Sequence, residues 1–446
     1  MAFLDDASLS HPSQVALEDE IGHLTYQEVY SLASETAREL RAAGIGPGSV
    51  VGVSGGLDRK TVLTLHAIWM AGASVAPLNQ RWTARESGIA LELLRPSHLL
   101  EGLTPESPGE LSSDPLPGLP KGTEAARLLT SGTSGRPRVV RLSAGNLRAN
   151  ADASCERLGL DPSDRWLASL SPAHVGGLAL IIRAGLLGST LVLRGAFSVS
   201  SFVGLLGNGA VTHASLVPTM LHQVLESWGD RAPPRSLRCL LIGGAPASKT
   251  LIKRALGAGF PIALTYGLTE ASSQVATAPP RLVQEKPGTV GPPLPGIQTR
   301  IGREGELLVR GPTVALGEGG SEGWLNTGDL AKIDEAGHLW IVGRQSDRII
   351  SGGVNVDPLE VEELLQTHPS VKEAVVTGVP DVEWGERVVA GVVTGVPAWG
   401  LEEELERLAR SALSPAKRPR DIRILPAIPR NPNGKVDRSG LKALFQ

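Results

Sequence analysis

The chain has 446 residues, of which 41% are hydrophobic and 20% charged, so it can bury more than one core and is not disordered. Its 43 basic and 46 acidic residues leave a formal net charge of −3, which excludes the basic field of a nucleic-acid-binding protein. With only two cysteines, Cys155 and Cys239, the sequence also excludes a disulfide framework and a zinc site built on cysteines.

No segment predicts export or membrane insertion. The N-terminal residues lack the basic flank and apolar run of a signal peptide. The longest apolar stretch, 178–193, is interrupted by Arg183 and is too short to span a bilayer. We therefore expect a cytoplasmic protein without membrane insertion, and the sequence leaves open whether it forms a homo-oligomer.

The first 290 residues alternate patterns typical of strands with patterns typical of helices. Helices are predicted at 26–43, 58–71, 147–158 and 178–187, and strands at 23–26, 49–53, 73–77, 166–170, 190–193, 237–242 and 261–265. Such alternation predicts an α/β fold with an open, mostly parallel sheet. The proline-rich stretch 102–121 is interpreted as a surface connection inside the first domain.

After about residue 291 the pattern changes to short strands with turns, followed by a compact α+β block. Strands are predicted at 305–310, 338–342, 371–378 and 388–393, and helices at 358–367 and 401–413. We place the domain boundary after Arg344. This predicts a large N-terminal domain of residues 1–344 and a small C-terminal domain of residues 345–446.

The strongest local motif is LLTSGTSGRPR at 128–138. Glycines let backbone N–H groups converge on an anion, hydroxyls add donors, and arginines bind phosphate oxygens. The alternative is a solvated Ser/Thr-rich turn. The segment GGAPASKT at 243–250 has Ser248 where a P-loop requires glycine, so we interpret it as a flat backbone wall beside a ligand.

Further along lies YGLTE at 266–270. The aromatic ring of Tyr266 can stack on a base, Thr269 can donate to a phosphate, and Glu270 is a hard oxygen ligand suited to Mg²⁺. A five-residue segment such as this one can occur by chance. It therefore predicts a nucleotide site only together with the other motifs of the chain.

Three later segments complete that set. Asp329 ends WLNTGD, and Arg344 follows fifteen residues later; together they could hold a ribose, although an aspartate there could instead cap a turn. The glycine turn SGGVN at 351–355 would let backbone approach a ligand, or form a plain hairpin. The loop at 429–435 ends in Lys435.

In this order, the motifs resemble those of the adenylate-forming superfamily of acyl-CoA synthetases, adenylation domains and luciferases. The resemblance covers nearly the whole chain. It implies stacked, mostly parallel sheets plus a small β-barrel-like part in the large domain, and a mobile small domain. It also implies two half-reactions. A carboxylate attacks the α-phosphate of ATP and expels pyrophosphate, with Mg²⁺ bound, and a thiol such as that of CoA then attacks the acyl-adenylate.

The resemblance implies a role for each matching residue. The nucleotide-binding residues would be Thr130, Ser131, Gly132, Thr133, Ser134, Gly135, Arg138, Gly244, Ala245, Tyr266, Asp329 and Arg344. Glu270 would hold Mg²⁺ and Thr269 a phosphate oxygen. Arg138 stands where the family usually has Lys; it keeps the positive charge, but its planar fork is not a point charge.

Lys435 matches the catalytic lysine of the family and would bridge the substrate carboxylate and the α-phosphate. It would leave the site when the small domain rotates about a hinge, which matches Ser346 where the family usually has Asp or Lys. Gly352 and Gly353 would then line the thiol tunnel.

The acid is indicated by two segments. SPAHVGG at 171–177 lacks the aspartate that holds an amino-acid ammonium group, which disfavours amino-acid activation. His174 in this segment matches a residue over the acyl site, or is a packed core histidine. The segment VTHASLVPT at 211–219, with Arg183, resembles the o-succinylbenzoate–CoA ligases of menaquinone biosynthesis.

That substrate carries two carboxylates, and Arg183 could bind the one that is not activated. The alternative is an internal ion pair of Arg183 with Asp or Glu. The acyl pocket would be completed by Ser215, Thr219 and Gly267. The alternative is that the hydroxyls of Ser215 and Thr219 are ordinary strand and turn hydroxyls that bind no substrate. A ligase for a benzoate-like or medium-chain acid, a stand-alone adenylation enzyme that loads a carrier protein, and a non-catalytic nucleotide-binding relative remain alternatives.

Overall fold

The computed structural model describes residues 3–102, 116–130, 137–395, 399–430 and 436–446. The chain divides into two compact units. The first comprises Met1–Pro246, Ala255–Arg300 and Leu308–Asn326, and the second Ala247–Arg254, Ile301–Leu307 and Thr327–Gln446. The division into domains of residues 1–344 and 345–446 stays a prediction.

The helices lie in chain order at α1 (Asp5–Ser10), α2 (Tyr26–Ala42), α3 (Arg59–Met70), α4 (Ala84–Leu94), α5 (Ala144–Leu158), α6 (Val175–Leu187), α7 (Val199–Gly207), α8 (Pro218–Trp228), α9 (Lys249–Gly257), α10 (Pro280–Glu285), α11 (Pro358–Leu365), α12 (Leu401–Ala412) and α13 (Arg438–Leu444). Within the described ranges, none of them combines the length and the apolar character that crossing a membrane requires.

The strands of the first 280 residues are β1 (Val15–Glu18), β2 (His23–Thr25), β3 (Val50–Ser54), β4 (Ser74–Leu78), β5 (His98–Glu101), β6 (Glu124–Thr130), β7 (Arg138–Ser143), β8 (Arg165–Leu167), β9 (Thr190–Val192), β10 (His213–Leu216), β11 (Cys239–Ile242), β12 (Ile262–Leu268) and β13 (Ser273–Ala278). They form two sheets, ordered β13-β12-β11-β10-β8-β9-β1-β2 and β5-β3-β4-β6-β7. All neighbours are parallel except β12–β13, β1–β2 and β6–β7. The predicted α/β class with mostly parallel sheets is confirmed.

The remaining strands are β14 (Gln298–Ile301), β15 (Glu306–Arg310), β16 (Leu325–Ile333), β17 (Leu339–Arg344), β18 (Ile349–Ser351), β19 (Val354–Val356), β20 (Val371–Asp381), β21 (Gly385–Thr394) and β22 (Asp421–Ile424). Their sheets are ordered β14-β15-β16-β17, with an antiparallel β16–β17 pair, and β19-β18-β21-β20, with β22 beside β21. The second of these sheets, with α11 and α12, gives the predicted small α+β block.

Side-chain caps set the starts of several helices, among them α2 and α5. Thr25 ends β2 and caps α2: its hydroxyl accepts from the Glu28 N–H, while the Glu28 carboxylate accepts from the Thr25 N–H at 2.7 Å. Ser143 and Asn146 make the same reciprocal pair at the start of α5. Each pair satisfies two N–H groups that the first helical turn leaves without partners. The predicted start of α2 at residue 26 is confirmed.

Each unit has its own hydrophobic core. In the first, Trp69 of α3 is fully buried, donates its indole N–H to the Ala125 carbonyl at 3.0 Å, and meets Phe3 edge-on at 4.8 Å. In the second, the guanidinium of Arg438 lies 2.7 Å from Glu362 and 3.0 Å from Asp347. These ion pairs hold α13 against the α+β block.

Tyr26 joins α2 to α6 through a buried hydroxyl, which lies 2.7 Å from the carbonyl oxygens of both Ala184 and Ser189. Tyr26→Phe removes the donor that these two buried oxygens share, so we expect it to lower the free energy of unfolding by about 1–3 kcal/mol. Urea denaturation measures this. The matched control is Tyr30→Phe, a half-buried tyrosine of the same helix, for which we expect a change within about 0.5 kcal/mol. Equal effects of the two substitutions would contradict the assignment.

Candidate active site

Strands β10, β11 and β12 lie in parallel register, so the chain leaves them at the same edge of the sheet. Leu216 pairs with Ile242, and Ile242 with Leu264. The carboxyl edge of a parallel sheet is where ligands of α/β proteins bind. Candidate residues of the first unit follow this edge in the segments 217–219, 243–245 and 265–270.

The turn after β11 packs closely on β12. A Cβ on Gly243 would approach Cγ2 of Thr265 to 2.5 Å, and Gly244 has a φ of +78°, in the region that favours glycine. Ala245 is exposed and Tyr266 is half-buried. The structure therefore places the Gly243–Ala245 backbone against the strand that carries Tyr266, as a flat wall requires.

The segment after Tyr266 is tightly constrained. A Cβ on Gly267 would come within 1.9 Å of the Ser273 carbonyl oxygen, so only glycine fits there. Thr269 and Glu270 lie in a 3-10 turn, and Ser272 and Ser273 follow with φ values of 61° and 114°. Non-glycine residues held at positive φ cost about 1–3 kcal/mol each and concentrate at functional sites.

A three-residue charge cluster lies beside this turn. The Arg138 guanidinium lies 2.5 Å from Glu270 and 3.4 Å from Glu318. The hydrogen bond to Glu270 raises the pKa of Arg138. Sequence reasoning identified Arg138 and Glu270 separately but missed their contact, and no motif marked Glu318.

The predicted phosphate loop joins β6 to β7, where Thr130 pairs with Arg138. The buried Thr130 hydroxyl has no hydrogen-bond partner in the described part of the chain. The predicted phosphate-binding residues that lie outside the described residues are Ser131, Gly132, Thr133, Ser134 and Gly135, and the predicted catalytic residue Lys435 lies outside them too.

In the second unit, the predicted ribose-binding pair faces across one ladder. Asp329 of β16 is in register with Arg344 of β17, and the Arg344 Nε lies 3.7 Å from an Asp329 carboxylate oxygen. Asp329 is within its strand rather than at a turn, so the turn-capping alternative does not hold. The carboxylate is mostly covered and the guanidinium exposed, an arrangement that suits recognition of sugar hydroxyls.

The predicted hinge and tunnel residues follow in the same unit. Ser346 is exposed in a 3-10 turn directly after β17. Gly352 and Gly353, with φ of 56° and 76°, form the two-residue turn that joins β18 to β19. The backbone of this turn is thus a tight hairpin, and its part in a thiol tunnel stays a prediction.

Arg183 is the most unusual of the predicted acyl-site residues. Its side chain projects from α6 and is 3% exposed; Cζ lies 5.1 Å from the Trp166 ring centroid, and Nε has no hydrogen-bond partner among the described residues. Within those residues no carboxylate pairs with it. Burial raises the pKa of the neighbouring thiols, Cys155 to about 11 and Cys239 to about 12, so neither supplies a negative charge at neutral pH.

Trp166 connects two predicted residues. Its indole N–H donates to the Ser215 hydroxyl at 3.1 Å, while Arg183 lies against its ring. Sequence reasoning missed Trp166, because an aromatic residue in a strand gives the same signal as ordinary core. Ser215 is buried on β10 and therefore belongs to this cluster rather than to an open surface.

His174 and Thr219 are exposed at the starts of α6 and α8. His174 is therefore not a packed core histidine. The described contacts do not bring either side chain to Arg183 or Ser215, and their acyl-site roles stay predictions.

The chain matches the family of AMP-binding enzymes over residues 4–124 and 101–317, and the C-terminal domain of AMP-binding enzymes over 360–435. The 2-succinylbenzoate–CoA ligase of Bacillus pumilus is 34% identical and covers 97% of this chain and 95% of that protein. The protein of the same name from Bacillus subtilis is 32% identical at the same coverage.

Solved structures agree. The o-succinylbenzoate CoA synthetase (MenE) of Bacillus subtilis in complex with the acyl-adenylate intermediate OSB-AMP superposes with a TM-score of 0.89 at 31% identity, covering 99% of this chain and 98% of that one. The same enzyme with ATP and a magnesium ion also gives 0.89 at 31% identity, covering 99% of both chains. Together with the two family matches, these relatives confirm the resemblance seen in the motifs: the chain belongs to the AMP-binding enzymes of the adenylate-forming superfamily.

Proposed function

We propose that this protein is an o-succinylbenzoate–CoA ligase of menaquinone biosynthesis. It forms an acyl-adenylate from the acid and ATP with release of pyrophosphate, and then transfers the acyl group to CoA with release of AMP. Full-length relatives of that name support the proposal. Within the chain, the observation that carries it is the buried Arg183.

Burying a guanidinium that has no carboxylate partner costs free energy of folding. Removing an ion from water costs several kcal/mol, which a protein carboxylate normally offsets. Contact with the Trp166 ring offsets only about 0.5–2 kcal/mol. A dicarboxylic substrate has one carboxylate to activate and one to spare, and the spare one would complete the ion pair at Arg183, directly or through water. A monocarboxylic substrate would leave the desolvation cost of Arg183 uncompensated.

The nucleotide-binding roles follow from two groups of charged residues: the cluster of Arg138, Glu270 and Glu318, and the Asp329–Arg344 pair. Glu270 and Glu318 converge on one cation, and two carboxylate oxygens are a donor set that suits Mg²⁺, which binds one or two carboxylates together with substrate phosphates. Glu270 would hold Mg²⁺, which neutralises charge on the triphosphate. Arg138 and Thr269 would contact phosphate oxygens.

The remaining nucleotide contacts would be made by a backbone wall, an aromatic ring and the Asp329–Arg344 pair. The wall formed by Gly244 and Ala245, with the ring of Tyr266, would hold the adenine. Asp329 would accept from both ribose hydroxyls, with Arg344 beside it.

The chemical difficulty of the first step is that two anions must meet. Lys435 would bridge the carboxylate and the α-phosphate, which favours the transition state over the separated reactants. His174, Thr219 and Gly267 would border the acyl group. After adenylation, rotation at Ser346 would withdraw Lys435 and present Gly352 and Gly353 to the thiol, with water excluded from the intermediate.

Pyrophosphate release tests the substrate. With ATP and Mg²⁺, we expect o-succinylbenzoate to be used at least about tenfold better than benzoate, a coumarate, octanoate or amino acids, because a charge-assisted hydrogen bond to the spare carboxylate contributes about 1.5–3 kcal/mol. A CoA thioester should form and be visible by mass spectrometry. Pyrophosphate release with a monocarboxylate alone would contradict o-succinylbenzoate as the substrate. An acyl-adenylate that forms without a CoA thioester would indicate that the acceptor is a carrier-protein thiol.

Arg183→Met tests the spare-carboxylate contact. We expect kcat/KM for o-succinylbenzoate to fall at least about tenfold. The melting temperature should stay the same or rise, because the substitution replaces a buried unpaired charge with an apolar side chain. Steady-state kinetics and thermal unfolding of the full chain measure the two effects.

The control for Arg183→Met is a monoester of o-succinylbenzoate in which the spare carboxylate is blocked. Its kcat/KM should change little between the variant and the wild type. A clear loss of stability, with equal losses for both substrates, would instead assign Arg183 a structural role.

Lys435→Ala tests the division of the two half-reactions. Losing a charge that stabilises the adenylation transition state should slow pyrophosphate release by about 10²–10³-fold. Thioester formation from supplied acyl-adenylate and CoA should be nearly unchanged. Lys442→Ala, which removes a half-exposed lysine of α13, is the matched control and should affect neither step. Equal slowing of both steps by Lys435→Ala would contradict the role.

A further inference from the structure

The cluster of Arg138, Glu270 and Glu318 has a defined geometry. The two carboxylates are mostly covered, with 15% and 19% of their side chains exposed, while the guanidinium is 48% exposed. Arg138 starts β7, Glu270 lies in the turn after β12, and Glu318 lies between β15 and β16. Three separate elements thus bring their charges to one point in the first unit.

Backbone hydrogen bonds fix this meeting point. The Ala315 N–H donates to the Glu270 carbonyl at 2.8 Å, and the Glu318 N–H donates to Ala315 at 3.1 Å. The Leu316 N–H donates to the Arg141 carbonyl at 2.9 Å. The turn that carries Glu318 is therefore hydrogen-bonded both to the backbone of Glu270 and to β7, which holds the backbone positions of the two glutamates close together.

We propose that Arg138 is a positioning residue whose guanidinium pairs with the metal-binding carboxylate of Glu270 until a polyphosphate arrives. Glu318 keeps that guanidinium within reach of both Glu270 and the polyphosphate. The proposal rests on the proposed function, in which Glu270 holds Mg²⁺. The 2.5 Å contact engages one Glu270 oxygen and puts a positive charge where a divalent cation would bind. A triphosphate offers Arg138 alternative anionic oxygens, and Glu270 then becomes available to the metal.

Metal and polyphosphate binding are coupled by this exchange. We expect the protein without nucleotide to take up a divalent cation poorly, because the guanidinium repels the cation and competes with it for the Glu270 carboxylate. One nitrogen of the Arg138 guanidinium, Nη2, approaches both carboxylates, at 2.5 Å from Glu270 and 3.4 Å from Glu318. Arg138 and Glu318 are therefore a matched pair in this chain.

Mn²⁺ binding to the full-length, nucleotide-free protein, followed by electron paramagnetic resonance, tests the proposal. Arg138→Gln frees Glu270, and we expect it to bind Mn²⁺ at least about threefold more tightly than the wild type, the change expected from losing a partly exposed ion pair. The same variant should bind MgATP more weakly in calorimetry, because a phosphate contact is lost. Glu318→Gln should weaken Mn²⁺ binding, since it removes a carboxylate and leaves Arg138 to Glu270 alone.

Arg141→Gln is the matched control. Arg141 lies on the same strand and loses the same charge on substitution, but it pairs with Glu124, at 3.9 Å. Its Mn²⁺ affinity should stay within about twofold of the wild type, as expected for an exposed pair. Equal gains in Arg138→Gln and Arg141→Gln would reduce the effect to net charge and overturn the proposal.

The proposal is also overturned if Arg138→Gln binds Mn²⁺ no more tightly than the wild type. This outcome counts against it whether the wild type binds Mn²⁺ strongly or not at all. Glu270→Gln separates this failure from failure of the proposed function. If Glu270→Gln binds Mn²⁺ as the wild type does, the metal assignment of Glu270 is wrong and this inference fails with it. If only the Arg138 result fails, the ligase assignment stands.

Discussion

An enzyme that joins a carboxylate to a triphosphate must hold positive charge where two anions meet, and must keep that charge stable when neither is bound. The arginines of the candidate site meet this constraint in two ways. Arg138 and Arg344 are partly exposed, and each pairs with a protein carboxylate. Arg183 is buried and has no carboxylate partner among the described residues. Partly exposed pairs exchange at low cost because water screens them, whereas a buried charge depends on the ligand itself.

The placement of these charges depends on strand register. Because β10, β11 and β12 are parallel and in register, residues far apart in sequence emerge at one edge. Close backbone packing then narrows the choice of residue, since a side chain at Gly243 would collide with Thr265 and one at Gly267 with Ser273. These glycines are required by contact rather than by conformation, since neither has a positive φ. Substitution at either would displace β12, and with it Tyr266, before any ligand contact was lost.

Local patterns predicted the alternation of elements and the start of α2, because periodicity and the Thr25 cap are properties of neighbouring residues. Strand ends were less predictable. The strand predicted at 166–170 is observed as Arg165–Leu167, and the strand predicted at 261–265 is observed as Ile262–Leu268. The second extends because the antiparallel strand β13 supplies its hydrogen bonds, and that pairing is invisible in the sequence of β12.

The motifs marked candidate site residues, whereas the neighbours of these residues in the fold could not be predicted. Glu318 meets Arg138 only after three elements pack, and Trp166 looks like core until Arg183 and Ser215 are seen on it. Both missed residues contact an arginine through its planar guanidinium, one by a second ion pair and the other by cation–π contact. A lysine could not lie flat on an indole ring, and it would put a point charge rather than a planar guanidinium beside the two carboxylates. The arginines at 138 and 183 therefore carry information that their charge alone does not, and it becomes readable only when the fold supplies their neighbours.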